Sequence, residues 1–425
     1  MLVQPDASMT LLHPPIGTRV RKRMNEEFRM SDPALNGSDA SLPFTSVSLT
    51  PPRVESVARE HVVDAMRGFA ALLVAYFHCR QVTWVGMETF HRTAGKVLDL
   101  NTIVAYLTLP VAWGSAGVPI FFVISGYCIH RSGARRLATN PSYQLDAVNF
   151  WARRFARIYP VLLAALLLTF ALDSISYHLP PVSHKLKDIG LSVFLVNLFS
   201  LQGVAGRTYG SNGALWTLSL EVQFYAVYPL LFALRRRLGM RWTVALVAAL
   251  NVVSAFVLER HDMQFFTSYW LSWTLGVWIA EAKAHAGSRA GPRSRWLYGC
   301  AAAFILAGCA AFHFGQYAAF QLWAAGFACY LLKALDRPDS NAPRFPLLSH
   351  LGDFSFSLYV VHLPLFVLLS ALVFHASRQV AIWPSFAFLL LAIPFAWVFY
   401  RLVELPAMKW SASLKPRAKA AAVLV

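Results

Sequence analysis

From residue 62 onward the chain repeats one pattern, apolar runs of about 20 residues, the length a helix needs to cross a hydrocarbon layer, parted by short polar connections. Lipid offers no water to satisfy backbone N–H and C=O groups, so such runs fold as helices. With 57% hydrophobic and 14% charged residues over 425 positions, the chain is too apolar for a soluble domain of its length. The expected fold is all-α, a polytopic transmembrane helical bundle held in a lipid bilayer.

Ten runs are expected to span: 62–82, 110–130, 157–178, 214–234, 242–258, 265–284, 296–312, 317–335, 354–374 and 382–402. An eleventh, 189–201, is short. The formal charge of +17 comes from Lys and Arg clusters between the runs, with no continuous basic face, so no nucleic-acid partner is expected. These clusters obey the positive-inside tendency when ten runs cross and 189–201 does not. That segment is therefore expected to be re-entrant or interfacial on the non-cytoplasmic side, with both termini cytoplasmic.

The expected organisation is a disordered cytoplasmic tail over 1–60, a membrane domain over 61–405 and a short basic cytoplasmic tail over 406–425. The first segment is rich in Pro, Ser, Asp and Arg, and no apolar stretch follows Arg19 to Arg23 to make a cleavable signal. Cys79, Cys128, Cys300, Cys309 and Cys329 lie in or beside apolar runs without CxxC or CxxxC spacing, so neither a disulfide framework nor a metal site is expected. Oligomeric state is left open.

Ionisable residues inside the runs are expensive and mark candidate sites. Arg67 and His78 are eleven residues apart, which returns them to within about 20° of one helix face at depths differing by about 16 Å. Asp64, Ala71 and Ala75 share that face. Taken singly, Arg67 reads as a snorkelling anchor and His78 as an interhelical hydrogen-bonding residue; together they favour a site. Arg154 and Arg157 lie one turn apart and can converge on one anion, although positive-inside anchoring also accounts for them. In the fourth run Glu221 is the residue hardest to explain structurally, since a carboxylate there must be paired, wet or neutral. Ser219 and Gln223, four residues apart, are candidate supporting groups. So are Ser355, Tyr359 and His362, which share one face of the ninth run.

Arg67 ten residues before His78, Phe121–Phe122–Val123–Ile124–Ser125–Gly126, Arg153–Arg154–Phe155–Ala156–Arg157–Ile158–Tyr159–Pro160, Trp216–Thr217–Leu218–Ser219–Leu220–Glu221 and Ser357–Leu358–Tyr359–Val360–Val361–His362 occur in that order. In combination they resemble the acyltransferase-3 family over about residues 60–405. The resemblance implies an O-acyltransferase of the bacterial inner membrane that moves an acyl group, with acetyl the expected one, from cytoplasmic acyl-CoA to a carbohydrate acceptor. No metal is expected. His78 is the expected general base, with Arg67 or the pair Arg154 and Arg157 holding the donor, and Glu221 orienting the base or the acceptor hydroxyl. A covalent acyl-His78 step stays open. Some relatives carry an appended esterase-like domain outside the membrane, and none is expected here. The competing reading is a secondary transporter or flippase for a lipid-linked sugar or small solute, whose mark, a pair of related halves, is not found.

Overall fold

The computed structural model describes residues 60–261, 263–286, 295–336 and 344–414. The expected N-terminal tail, apart from Glu60, and the last eleven residues of the expected C-terminal tail lie outside the described residues. In chain order the helices are α1 (His61–Thr83), α2 (Met87–Thr93), α3 (Leu100–Leu107), α4 (Gly117–Thr139), α5 (Ala147–Tyr177), α6 (Leu191–Leu198) and α7 (Trp216–Glu259). There follow α8 (Trp270–Ala286), α9 (Trp296–Ala311), α10 (Gln316–Ala334), α11 (Pro346–Asp353), α12 (Ser355–Phe374), α13 (Trp383–Phe399) and α14 (Leu405–Ser413). A 3₁₀ segment, Leu109–Ala116, leads into α4, and a π-helical turn, Tyr400–Glu404, joins α13 to α14. Among the described residues there is no strand, and six helical stretches are long and apolar enough to cross a membrane. The chain is an all-α, multi-pass membrane bundle.

One of those stretches covers two of the expected runs. In a straight helix residues 223 and 254 would stand about 46 Å apart. Both instead bond the same short turn after α7: Gln223 Oε1 accepts from Phe266 N at 3.1 Å, and Ser254 Oγ meets Thr267 Oγ1 and, at 3.3 Å, Ser268 Oγ. The chain therefore folds back within α7. The reversal sits at Gly239, where φ +77° and ψ 164° place the backbone in a region that only glycine occupies at little cost.

The short 189–201 run forms α6, whose eight residues rise about 12 Å, well short of the hydrocarbon thickness. Asn197, fully buried, ties it to the following loop by donating to Arg207 O at 2.9 Å and accepting from Tyr209 N at 3.2 Å. That loop is anchored in turn. Asp173 of α5 accepts from Ser211 N at 2.7 Å and Ser211 Oγ at 2.6 Å, while Asn212 donates to Thr169 Oγ1 and to Val360 O of α12. The start of α7, and so the height of Glu221, is fixed by these bonds.

The other wall of the bundle depends on a close approach of α1 and α11. A Cβ at Gly68 would lie 2.0 Å from Leu348 O, and one at Gly352 would lie 2.1 Å from Asp64 O. With no hydrophobic drive between helices in lipid, such backbone contact is what packs them, and it sets Arg67 beside the start of α12.

The last helix runs further than the pattern indicated. The apolar run ends at Leu402, but hydrogen bonding continues through the π turn to Ser413, where Ser411 Oγ donates to Arg153 O at 2.6 Å. Residues 406–413, expected as the start of a tail, are helical.

Candidate active site

α1, α4, α5, α7 and α12 enclose a cavity of about 390 Å³. Arg67, Arg154, Arg157, Glu221, Ser355 and Tyr359 all line it. Arg67 reaches it from α1, donating from Nη2 to Cys128 Sγ at 3.3 Å with Asp64 at 3.8 Å. Asp146 caps α5 by accepting from Asn149 N at 3.1 Å, and the helix so started carries Arg154 and Arg157 one turn apart. The Arg154 guanidinium lies 5.7 Å from the Phe150 ring and 6.0 Å from that of Tyr225, and its Nε, though buried, has no hydrogen-bond partner among the described residues. An arginine held by ring faces keeps its donor fork available for a planar or tetrahedral anion.

Glu221 projects from α7 onto the same wall. Its Oε1 accepts from Ser125 Oγ at 3.1 Å and from Tyr225 Oη in a short bond; Ser125 Oγ itself accepts from Trp273 Nε1 at 3.2 Å. Neither bond is to His78. The resemblance implies that Glu221 orients the base or the acceptor hydroxyl, and the structure gives it two hydroxyl partners on the cavity wall. Ser125, Cys128 and Tyr225 carry no site expectation from sequence, because small and aromatic residues in a span read as packing.

Glu404 was missed as well. It is 2% exposed, lines the cavity from the π turn, and accepts at Oε2 from Ser357 N at 3.1 Å and Ser357 Oγ at 2.6 Å. Two residues past the apolar run it resembles an interfacial charge; only the continuation of the helix to Ser413 puts it inside the bundle.

Tyr359 closes one side of the cavity, its Oη 2.7 Å from Thr217 Oγ1 and 3.2 Å from Ala214 O. One turn further along α12, His362 turns away from the cavity towards α1. Its Nε2 lies 2.9 Å from His78 Nδ1, with the rings stacked at 5.1 Å between centroids, and its Nδ1 lies 3.0 Å from Leu358 O. A carbonyl oxygen only accepts, so Nδ1 of His362 carries the proton. With both rings neutral, His362 Nε2 is then the acceptor and His78 Nδ1–H the donor. The bare lone pair of the pair falls on His78 Nε2. His78 is half-buried and His362 fully buried. Arg67 and His78 thus serve different places, the arginine in the cavity and the histidine beyond it.

Ser219 and Gln223 do not line the cavity. Ser219 Oγ donates to Ser200 O at 2.7 Å and accepts from Gln223 Nε2 at 2.9 Å, so the two tie the loop after α6 and the turn before α8 to α7. Ser355 lines the cavity but spends its hydroxyl on Gly352 O at 3.0 Å, bracing the break between α11 and α12. A separate buried set joins Glu281 to His130 Nε2 at 2.8 Å and Arg235 Nη2 at 2.6 Å, with His130 Nδ1 3.0 Å from Tyr228 Oη. Among the described residues no three His, Cys, Asp or Glu side chains gather as metal ligands, and the five cysteines are free thiols.

A family model described as an acyltransferase domain matches residues 60–401. The acyltransferase MdmB of Streptomyces mycarofaciens is 28% identical over 213 residues, 49% of this chain and 49% of that protein. The peptidoglycan O-acetyltransferase OatA of Listeria monocytogenes is 28% identical over 176 residues, 38% of this chain and 27% of its own length. The chain thus spans about half or less of these two relatives. Nodulation protein 10 of Rhizobium leguminosarum bv. viciae is 24% identical over 408 residues, 86% of this chain and 98% of that one. No solved structure matches the chain significantly.

Proposed function

The chain belongs to the acyltransferase-3 family, and from that membership we propose that it is an O-acyltransferase of the bacterial inner membrane. It moves an acyl group, expected to be acetyl, from cytoplasmic acyl-CoA to a hydroxyl of a cell-surface or lipid-linked carbohydrate, with both of its termini in the cytoplasm. The observation that carries this reading is α1 itself. One helix bears an arginine in an anion-suited cavity at one end and, towards the other, a histidine whose basic nitrogen is set by His362.

In this reading Arg67, Arg154 and Arg157 hold the phosphates of the donor, as the guanidinium fork suits phosphate oxygens. Glu221 and Glu404, each bonded to hydroxyls, keep the arginine-rich cavity from excess positive charge. His78 Nε2 takes the proton of the acceptor hydroxyl as that oxygen attacks the thioester carbonyl. The tetrahedral centre collapses with cleavage of the C–S bond, and the proton passes to the departing thiolate. His362 acts as a positioning residue, keeping Nε2 of His78 unprotonated and aimed. A two-step route, through an acyl group on His78 Nε2, uses the same nitrogen and is separated from direct transfer by acid-quench trapping of labelled protein.

The test is incubation of the purified chain with acetyl-CoA labelled in the acetyl group. Label moving to acceptor or water is the expected result. Uptake of a solute into vesicles with the thioester intact would instead identify a transporter and overturn the reading. O-acyl analysis of surface glycan from a deletion strain then identifies the acceptor.

A further inference from the structure

A second cavity, of about 350 Å³, lies at the end of α1 remote from Arg67. The last turns of α1, the 3₁₀ segment before α4 and the loops carrying Lys185 and Arg378 form its walls. Among the described residues no acidic side chain lines it, and three cations do: Arg80, Lys185 and Arg378. The Arg80 guanidinium lies 4.3 Å from the Trp84 ring and donates from Nη1 to Thr108 O at 2.6 Å. Lys185 Nζ donates to Gln81 Oε1 at 3.1 Å, and Arg378 Nη2 lies 2.8 Å from His184 Nε2. Among the described residues, none of these cations is paired with a carboxylate.

Such a cluster is costly as it stands. Burial, with repulsion from Arg378 and Lys187, pushes the Lys185 pKa down from its ordinary value. Burial and the same Arg378 and Lys185 charges push that of His184 down too. An anion in the cavity relieves both. The place also adjoins the base along the chain: Phe77, which lines the cavity, precedes His78 in α1. Gln81, which also lines the cavity, offers a polar partner for a hydroxyl.

We propose that this cavity is the acceptor subsite and that it takes an anionic carbohydrate, one carrying a carboxylate or phosphate group beside the hydroxyl to be acylated. The inference rests on the acyl-transfer reading for its role and on the unpaired cations for its ligand class. Guanidinium forks grip an oxyanion bidentately, while the ammonium acts as a point charge, so the site selects charge before sugar identity.

The experiment uses the full chain in nanodiscs of phosphatidylcholine, titrated separately with glucose 1-phosphate, glucuronate and glucose. The two anions are expected to bind at least about tenfold more tightly than glucose, as one charge-assisted contact supplies, and to weaken as salt is added. Lys185→Ala with Arg378→Ala should abolish the preference, and Lys185→Arg with Arg378→Lys should retain it. Equal binding of glucose and the anions by the unaltered chain overturns the proposal, as does an anion preference that survives the double alanine variant. Nanodiscs containing phosphatidylglycerol separate the other source of phosphate. A lipid phosphate held through Lys185 and Arg378 and not displaced by either sugar anion makes this a headgroup anchor and overturns the carbohydrate assignment. Acetyl-CoA turnover by the unaltered chain, read in parallel, keeps the two ideas apart. Turnover without anion preference sinks only this proposal, whereas anion preference without turnover sinks acyl transfer and with it the acceptor role.

Discussion

Glu281 and Glu221 are both carboxylates of helices inside the bundle, and their surroundings are opposite in kind. Glu281 is 4% exposed, with one oxygen on His130 and the other on Arg235, so its charge is neutralised and both of its oxygens are bonded. Glu221 stands on a cavity wall with both bonds on one oxygen, from neutral hydroxyls, while Arg67 and Arg154 line the same cavity. The first arrangement is closed and can only hold helices α4, α7 and α8 together. The second leaves capacity facing space that a ligand can enter. An ionisable group within a membrane bundle therefore marks a site by what its partners leave open, beyond the mere cost of its burial.

If that contrast is right, substitutions in the open region reduce rate and spare stability, and those in the closed region do the reverse. The largest effect is expected at His78, which lies beyond the cavity and pairs with His362. His78→Ala should lower transfer by about 10²–10⁴-fold, the usual contribution of a general base, with the thermal unfolding midpoint in detergent little changed. A folded His78→Ala protein with near-normal transfer would refute the base assignment and move it to Glu221 or His362.

Next comes Glu281→Ala. Removing one partner of a buried ion pair strands the Arg235 charge and should cost about 3–5 kcal/mol, measured by reversible unfolding in detergent. Glu221→Ala strands only hydroxyls that can turn to cavity water, so its loss of stability should be clearly smaller. Equal losses at the two positions would erase the distinction between closed and open.

Arg67→Ala should raise the KM for acyl-CoA by about 10- to 100-fold, the worth of one or two hydrogen bonds to a charged group, and leave kcat largely intact. A fall in kcat with KM unchanged would instead place Arg67 in the transition state and not in donor binding. The smallest effect is expected outside both regions. Gly239→Ala meets no atom of the described residues within 4 Å, so its cost is backbone strain alone, about 1–3 kcal/mol, with transfer per folded molecule unchanged.

Much of the framework was legible from the chain alone. The 62–82 run is α1 and carries both Arg67 and His78, and the short 189–201 run forms a helix too short to cross. Arg154 and Arg157 line one cavity with Arg67. Periodicity and length succeed here because they compare a segment of about 20 residues with lipid, a contest decided locally.

What the chain alone left undecided concerns residues far apart in sequence. Glu221 and Glu281 look alike in their runs; which is closed depends on whether Arg235 and His130 arrive from other segments. Glu404 looks interfacial until the π turn carries it to Ser357. The basic nitrogen of His78 is chosen by His362, 284 residues away, through a bond that exists only because α1 and α12 pack side by side. The sequence by itself determined that this chain is a helical membrane bundle bearing arginine and histidine on one helix, since solvent and period dictate that much. Tertiary structure alone decided which charges were satisfied and which stayed open, because hydrogen-bond capacity is filled by whichever helix lies alongside, and no local pattern names that neighbour.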